Sequence, residues 1–210
     1  GYLATLERLQ DDLGDAADAR TAMARVRALD WPAGVRREAL ARLRRMEKES
    51  LRDIDTHAAA LHDAGLDANA MPLLQEARRL RVGQFGAQHG LVGDTDRLIG
   101  VVAAALGDPA QARSALQEAV ALTRGHYGPG DPHTLRAELA QARLLAAEGD
   151  TAAMQRLAEI GTTGPADDND QRRDRWLARA YLTETRCQRE PALARAQLDA
   201  ITQEMQAAMP

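Results

Sequence analysis

Gly65, Gly107 and Gly149 stand 42 residues apart, and each opens a similar run: GLDANAMPLLQEARRLRVGQFG, GDPAQARSALQEAVALTRGHYG and the shorter GDTAAMQRLAEI. Ala70 matches Ala112, Leu74 matches Leu116, Ala77 matches Ala119, and Phe85-Gly86 matches Tyr127-Gly128. Within each run the apolar residues recur at three- and four-residue steps, the spacing of one helical face. Between helices the chain breaks tightly: Gly107 can leave helical angles, Asp108 can cap the next helix, and Pro109 fits its first turn, where an amide hydrogen has no partner to lose. A helical hairpin recurring at this interval cannot bury its apolar side alone and must stack on its neighbours. The expected fold is all-α, a right-handed α-solenoid of antiparallel helix hairpins.

Along the chain, Leu3, Leu6, Leu9 and Leu13, the break Gly14-Asp15, and Ala16, Ala19, Met23 and Val26 predict a first hairpin. Trp31-Pro32-Ala33-Gly34 is a turn in which Trp31 plugs a joint. Residues 35–64 carry Val35, Ala39, Leu43, Met46, Leu51, Ile54, Ala58 and Leu61 without a strong breaker, and read as one long helix or two joined near Ser50. Asp67 is expected to cap the following helix, within which Pro72 falls. Residues 84–91 and 125–130 read as connectors, and Asp131-Pro132 repeats the device of Asp108-Pro109. Residues 161–170, GTTGPADDND, read as a mobile polar loop, followed by a last pair near 172–188 and 192–208. The expected layout is a single repeat domain over 1–210: an N-terminal hairpin plus an extra helix in 1–49, repeats in 50–90 and 91–132, a repeat and loop in 133–170, and a divergent hairpin in 171–210.

Aromatic residues make up only 3% of the chain, so its core must come from Ala, Leu, Val, Met and Ile. Small side chains let helices approach closely, which suits a helical array better than a sandwich of β-branched strands. With 27 basic and 31 acidic residues, a net charge of −4, there is no global attraction for nucleic acid or an anionic membrane. The basic cluster Arg36-Arg37, Arg42, Arg44-Arg45 and Lys48 is broken by Glu38, Glu47 and Glu49 and lacks stacking aromatics, so it reads as a solvated helix side. No apolar run reaches membrane-spanning length, and direct membrane insertion is not expected. Cys187 is the lone cysteine, so no internal disulfide can form. A start at Gly1-Tyr2 reads as a piece of a longer protein, cytoplasmic or periplasmic.

The run Gly107-Asp108, Ala112, Leu116 and Ala119-Val120, closed by Tyr127-Gly128-Pro129-Gly130-Asp131-Pro132-His133-Thr134-Leu135, resembles the tetratricopeptide repeats, in the longer version found in kinesin light chains and many bacterial proteins. Phe85-Gly86-Ala87-Gln88-His89 is a weaker copy of the same connector. The resemblance covers roughly residues 50 to 160. It implies a module that binds a partner protein or peptide on a concave face lined by the first helix of each pair. It also brings to mind the regulatory repeats that follow bacterial serine/threonine kinase domains, although no kinase motif lies in this chain.

Carrying the family register over, that face receives Arg52, Asp55, Ala59, His62 and Asp63 from one repeat, Asp94, Arg97, Val101 and Ala104 from the next, and Arg136, Leu139, Arg143 and Ala146 from the third. The last repeat contributes Trp176, Arg179, Thr183 and Arg186. The arginines suit a peptide bearing carboxylates, with Val101 and Leu139 offering apolar contact. The asparagine-centred clamp that some members use for C-terminal carboxylates is not expected, because Ala59, Val101 and Arg143 stand at its positions.

Two other readings stand beside this one. A structural or dimerising module would use the divergent C-terminal hairpin as its docking edge, and an intramolecular partner or a homodimer would fit it. A small all-helical hydrolase would use His126, Asp131 and His133. Against it, Asp131 is better placed as a helix cap, His57 and His62 lie five apart rather than four, and nothing local activates Cys187. No glycine-rich phosphate cradle follows a strand, and no catalytic residue, metal or cofactor is implied.

Overall fold

The computed structural model describes residues 23–24, 27–28, 32–162, 169–187 and 190–208, with the side chains of 42–53 and 169–170 left aside. The first predicted hairpin and Trp31 thus fall mostly outside the described residues, as do 163–168 of the polar loop. Eight helices are described: α1 Ala33–Asp63, α2 Asp67–Phe85, α3 Gly90–Ala105, α4 Pro109–Tyr127, α5 Pro132–Ala147, α6 Thr151–Thr162, α7 Asn169–Glu184 and α8 Pro191–Ala208. No strand occurs among the described residues. The fold is all-α and multi-helical, an arrangement consistent with a helical solenoid.

The 42-residue recurrence is reproduced in backbone geometry. Gly65, Gly107 and Gly149 adopt φ of 73°, 78° and 93°, angles that a side chain would strain. In each case the following amide reaches back to a carbonyl five residues earlier: Leu66 to Leu61 at 2.8 Å, Asp108 to Ala103 at 2.9 Å and Asp150 to Leu145 at 3.0 Å. These are three copies of one helix-ending motif, satisfying carbonyls that the helix leaves without partners. Gly86 and Gly128, also 42 apart, end α2 and α4 at φ of 88° and 96°.

Helix starts follow the same logic, with one correction. Asp108 accepts from the Gln111 amide and Asp150 from the Ala153 amide, both at 2.9 Å. Asp131 accepts from the His133 amide at 2.9 Å, with Pro132 in the first turn. Asp67 does not cap α2. Leu66 occupies the position that Asp108 fills one repeat later, so the carboxylate arrives one residue late and takes His62 Nδ1 at 2.5 Å instead. Residues 33–63 form one unbroken helix of 31 residues, which answers the question left open near Ser50. The connectors are shorter than expected, since α2 runs to Phe85 and α4 to Tyr127.

The chain divides into two compact units, residues 1–87 and 88–210. In the first, α1 packs on α2, with Leu80 buried against Ile54 and Phe85, and buried Arg81 bound to Asp55. In the second, consecutive helices from α3 to α8 pack in turn, and the first helices also touch each other, α3 with α5 and α5 with α7. Gly93 and Gly100 let α3 and α4 meet closely. A Cβ on Gly100 would stand 2.5 Å from Leu116 Cγ, and one on Gly93 would stand 3.1 Å from the Ala119 carbonyl oxygen. A core of Leu139, Ala142, Ala146, Ala153, Leu157, Ile160 and Ala178 joins α5, α6 and α7. A fully buried aliphatic side chain such as Leu157 contributes about 1.5–3 kcal/mol.

Candidate partner-binding surface

The first helices of residues 88–210 are joined side by side through polar pairs. Asp94 on α3 meets His133 Nδ1 on α5 at 2.9 Å and also accepts from the Tyr127 hydroxyl at 3.4 Å. One helix further, Arg136 Nε donates to Asp174 on α7 at 3.2 Å. Arg143 lies over the Tyr181 ring, 4.2 Å from its centroid, and reaches Glu184 at 3.9 Å. The result is a strip across α3, α5 and α7 in which charged and aromatic groups alternate. Arg143 is its most open cation, with half of its side chain in solvent.

Several residues expected on the surface lie elsewhere. Leu139 is not an apolar contact for a ligand: it is 5% exposed, in the core that joins α5 to α7. Arg136 and Arg143 are on the strip but already engaged by α7, and half-buried Arg97 is also partnered. Val101 is half-buried. Of the last repeat's set, Trp176 and Thr183 are buried, and Arg179 is bound through both terminal nitrogens to Glu204 of α8, at 2.6 and 3.0 Å. The cause is register: Asp174, Tyr181 and Glu184, which meet α5, stand 38 residues after Arg136, Arg143 and Ala146, whereas the expected Trp176, Arg179, Thr183 and Arg186 stand 40 residues after their counterparts in α5. Two residues at 3.6 per turn rotate a helix by more than half a turn. In the first unit, Asp55 is held by Arg81 and His62 by Asp67, while the Arg52 side chain lies outside the described residues.

The second helices meet α5 from the other side. Glu138, 5% exposed, receives Arg124 from α4 and Arg156 from α6, the latter through Nε at 3.1 Å. Burial alone would raise the Glu138 pKa, but the two guanidinium groups outweigh it and hold the carboxyl below its ordinary value. The trace of this clamp in the sequence is slight: Asp96 and Glu138, 42 apart, mark an acidic position that recurs on the first helices.

A ring cluster closes the connector end. His89 and His126 stand 4.2 Å apart, His126 and Tyr127 meet edge-on at 4.7 Å, and Tyr127 stacks on His133 at 4.5 Å. His89 caps α3 by accepting from the Leu91 amide at 3.2 Å, in the position Asp131 holds 42 residues later. Its pKa is lowered by burial and by His126, against a raising effect of Asp94. His126, Asp131 and His133 do not converge on a common point: Asp131 bonds backbone, His133 turns to Asp94, and His126 faces His89. Among the described residues no group of three or more His, Cys, Asp or Glu is placed to hold a metal ion, and no helix is long and apolar enough to cross a membrane. Cys187 is half-buried, its thiol directed at the Thr183 carbonyl at 3.7 Å.

Compared with known proteins, the sequence matches no protein-family model and no curated protein.

Proposed function

We propose that residues 88–210 are a tetratricopeptide-like array whose first-helix strip binds an extended or helical segment of a partner protein, as the regulatory or interaction part of a larger signalling protein. What supports this is the side-by-side contact of α3, α5 and α7, with Arg143 over Tyr181 and close to Glu184, and Asp94, Arg97 and Val101 at helical spacing along α3. Stacked helices hold such groups in place before binding, so less ordering entropy is lost on association. The mixed charge matters for the partner's chemistry. Arg136 and Arg143 are committed to α7, so a purely acidic peptide would compete with Asp174 and Glu184 for them. A segment that combines a carboxylate for Arg143 with an apolar or aromatic residue for Val101 and Tyr181 fits better.

The test is selection of peptides from a displayed random library on the whole chain, followed by affinity measurement against Arg143→Glu and Tyr181→Ala variants. The expected result is enrichment of sequences pairing an acidic with an apolar residue, and a loss of affinity of tenfold or more in both variants. Selected peptides that bind both variants as tightly as the parent would place the site elsewhere.

A further inference from the structure

The flank of α7 facing the second helices is built differently from that of α5. At α5, both neighbouring second helices send an arginine to Glu138 and close the crease from two sides. At α7, Glu204 of α8 takes Arg179. Beside that ion pair an open groove of about 240 Å³ runs between α7 and α8. It is lined by Arg179, Leu182, Thr183 and Arg186, and by Gln197, Ala200 and Ile201. Arg179, Leu182 and Thr183 share one face of α7, and Gln197, Ala200 and Ile201 one face of α8, while Arg186 stands in the turn just after α7. No described residue of α6 lines it.

Two features specify what would fill it. The floor is apolar, made by Leu182, Ala200 and Ile201, and Leu193, one turn before Gln197 on α8, is 48% exposed. The rim carries two arginines in unequal states. Arg179 already holds a carboxylate in a two-pronged bond, whereas the exposed Arg186 guanidinium, two turns on, has no partner among the described residues. The volume falls below the ~300–1,000 Å³ usual for a small-molecule pocket, but it has room for a large side chain.

We propose that this groove receives a segment of a partner protein that inserts one bulky apolar side chain over Leu182, Ala200 and Ile201 and sets a carboxylate on Arg186. The apolar side chain supplies burial, and the Arg186 ion pair, formed beside a low-dielectric floor, fixes register and orientation. The groove does not depend on the strip described above. Tyr181 faces α5, whereas Arg179 and Thr183 face α8.

The test uses the whole chain and a fluorescent, alanine-based 12-residue helical peptide carrying a phenylalanine and, one turn later, a glutamate. Binding is read by anisotropy against the Arg143→Glu chain, which disables the strip, and against the same chain with Arg186→Glu or Ala200→Arg added, with circular dichroism verifying that each variant is folded. The expected result is saturable binding to the Arg143→Glu chain that falls tenfold or more when either groove change is added, and that weakens when the peptide glutamate becomes glutamine. Ala200 is exposed, so its arginine variant blocks the groove without opening the core. No binding, or binding indifferent to both groove variants, would overturn the proposal. So would a parent chain that doubles in mass with concentration and stays monomeric as Ala200→Arg, because that result gives the groove to a second copy.

Discussion

Arg156 of α6 and Glu138 of α5 are bound through two guanidinium nitrogens, and Arg124 of α4 joins the same carboxylate from the opposite side. One buried acid thereby ties three consecutive helices together at the centre of residues 88–210. The two arginines are 39% and 57% exposed, so solvent screens each pair in part, while the carboxylate itself has almost no access to water.

Removing Glu138 and removing its partners should therefore differ. Glu138→Ala frees two arginines that can return to water and should cost about 2 kcal/mol. The double change of Arg124→Ala with Arg156→Ala strands a buried carboxylate and should cost about 3 kcal/mol or more. Because the folded carboxyl titrates below its ordinary value of 4.5, its stabilisation is complete above that pH and is lost as pH falls through the lowered folded value. Urea unfolding from pH 7 to pH 3 should show this loss in the parent and a flatter acid limb in Glu138→Gln.

His89 should act in a different pH window. Its folded pKa lies below the ordinary 6.5, so it stabilises the fold above that value and ceases to do so as pH falls through the depressed one. Protonation occupies the nitrogen that accepts from Leu91 and puts a positive charge at a helix N-terminus, where it is unfavourable. His89→Asn keeps a capping acceptor without the titration. Thermal melts between pH 7.5 and pH 5 should show a smaller fall in midpoint for this variant than for the parent.

The missing cap on α2 offers a gain of stability. Leu66 is 49% exposed and stands where Asp108 caps α4, with no side-chain bond at this helix start. Leu66→Asp should stabilise by about 0.5–1 kcal/mol, whereas Asp108→Ala should cost about 1 kcal/mol. Denaturant midpoints moving in opposite directions for the two variants would check both halves.

Gly100 tests the close approach of α3 and α4. A Cβ there would press into Leu116 and come within 3.2 Å of the Ala112 carbonyl, so Gly100→Val should destabilise by about 1–3 kcal/mol despite valine's better burial. Gly107 has open space around it, and Gly107→Ala should cost about 1 kcal/mol through its φ of 78° alone. Paired unfolding measurements separate contact from backbone strain.

The repeat and its punctuation were legible because they depend on local chemistry. A glycine at positive φ, an aspartate cap and a proline in the first turn leave their mark whatever packs around them, and Gly107-Asp108-Pro109 displays all three. Where the local signal changed, expectation failed: Asp67 looked like a cap, but the residue in register with Asp108 is Leu66. The site was less legible because facing depends on register. With the residues of α7 that meet α5 standing two positions earlier than expected, Arg179 and Arg186 turn from the first-helix strip toward α8, and Tyr181 and Glu184 take their place. The Glu138 clamp and the His89, His126, Tyr127 and His133 cluster join residues up to 44 positions apart, a distance at which periodicity carries no pairing information.

The most direct measurement is photo-crosslinking of a library-selected peptide to the intact chain, with the attached residues mapped by mass spectrometry. Crosslinks are expected on α3, α5 and α7 around Val101, Arg143 and Tyr181, reduced in Arg143→Glu. Crosslinks confined to the second helices α4 and α6, or to residues 1–87, would contradict binding on the strip.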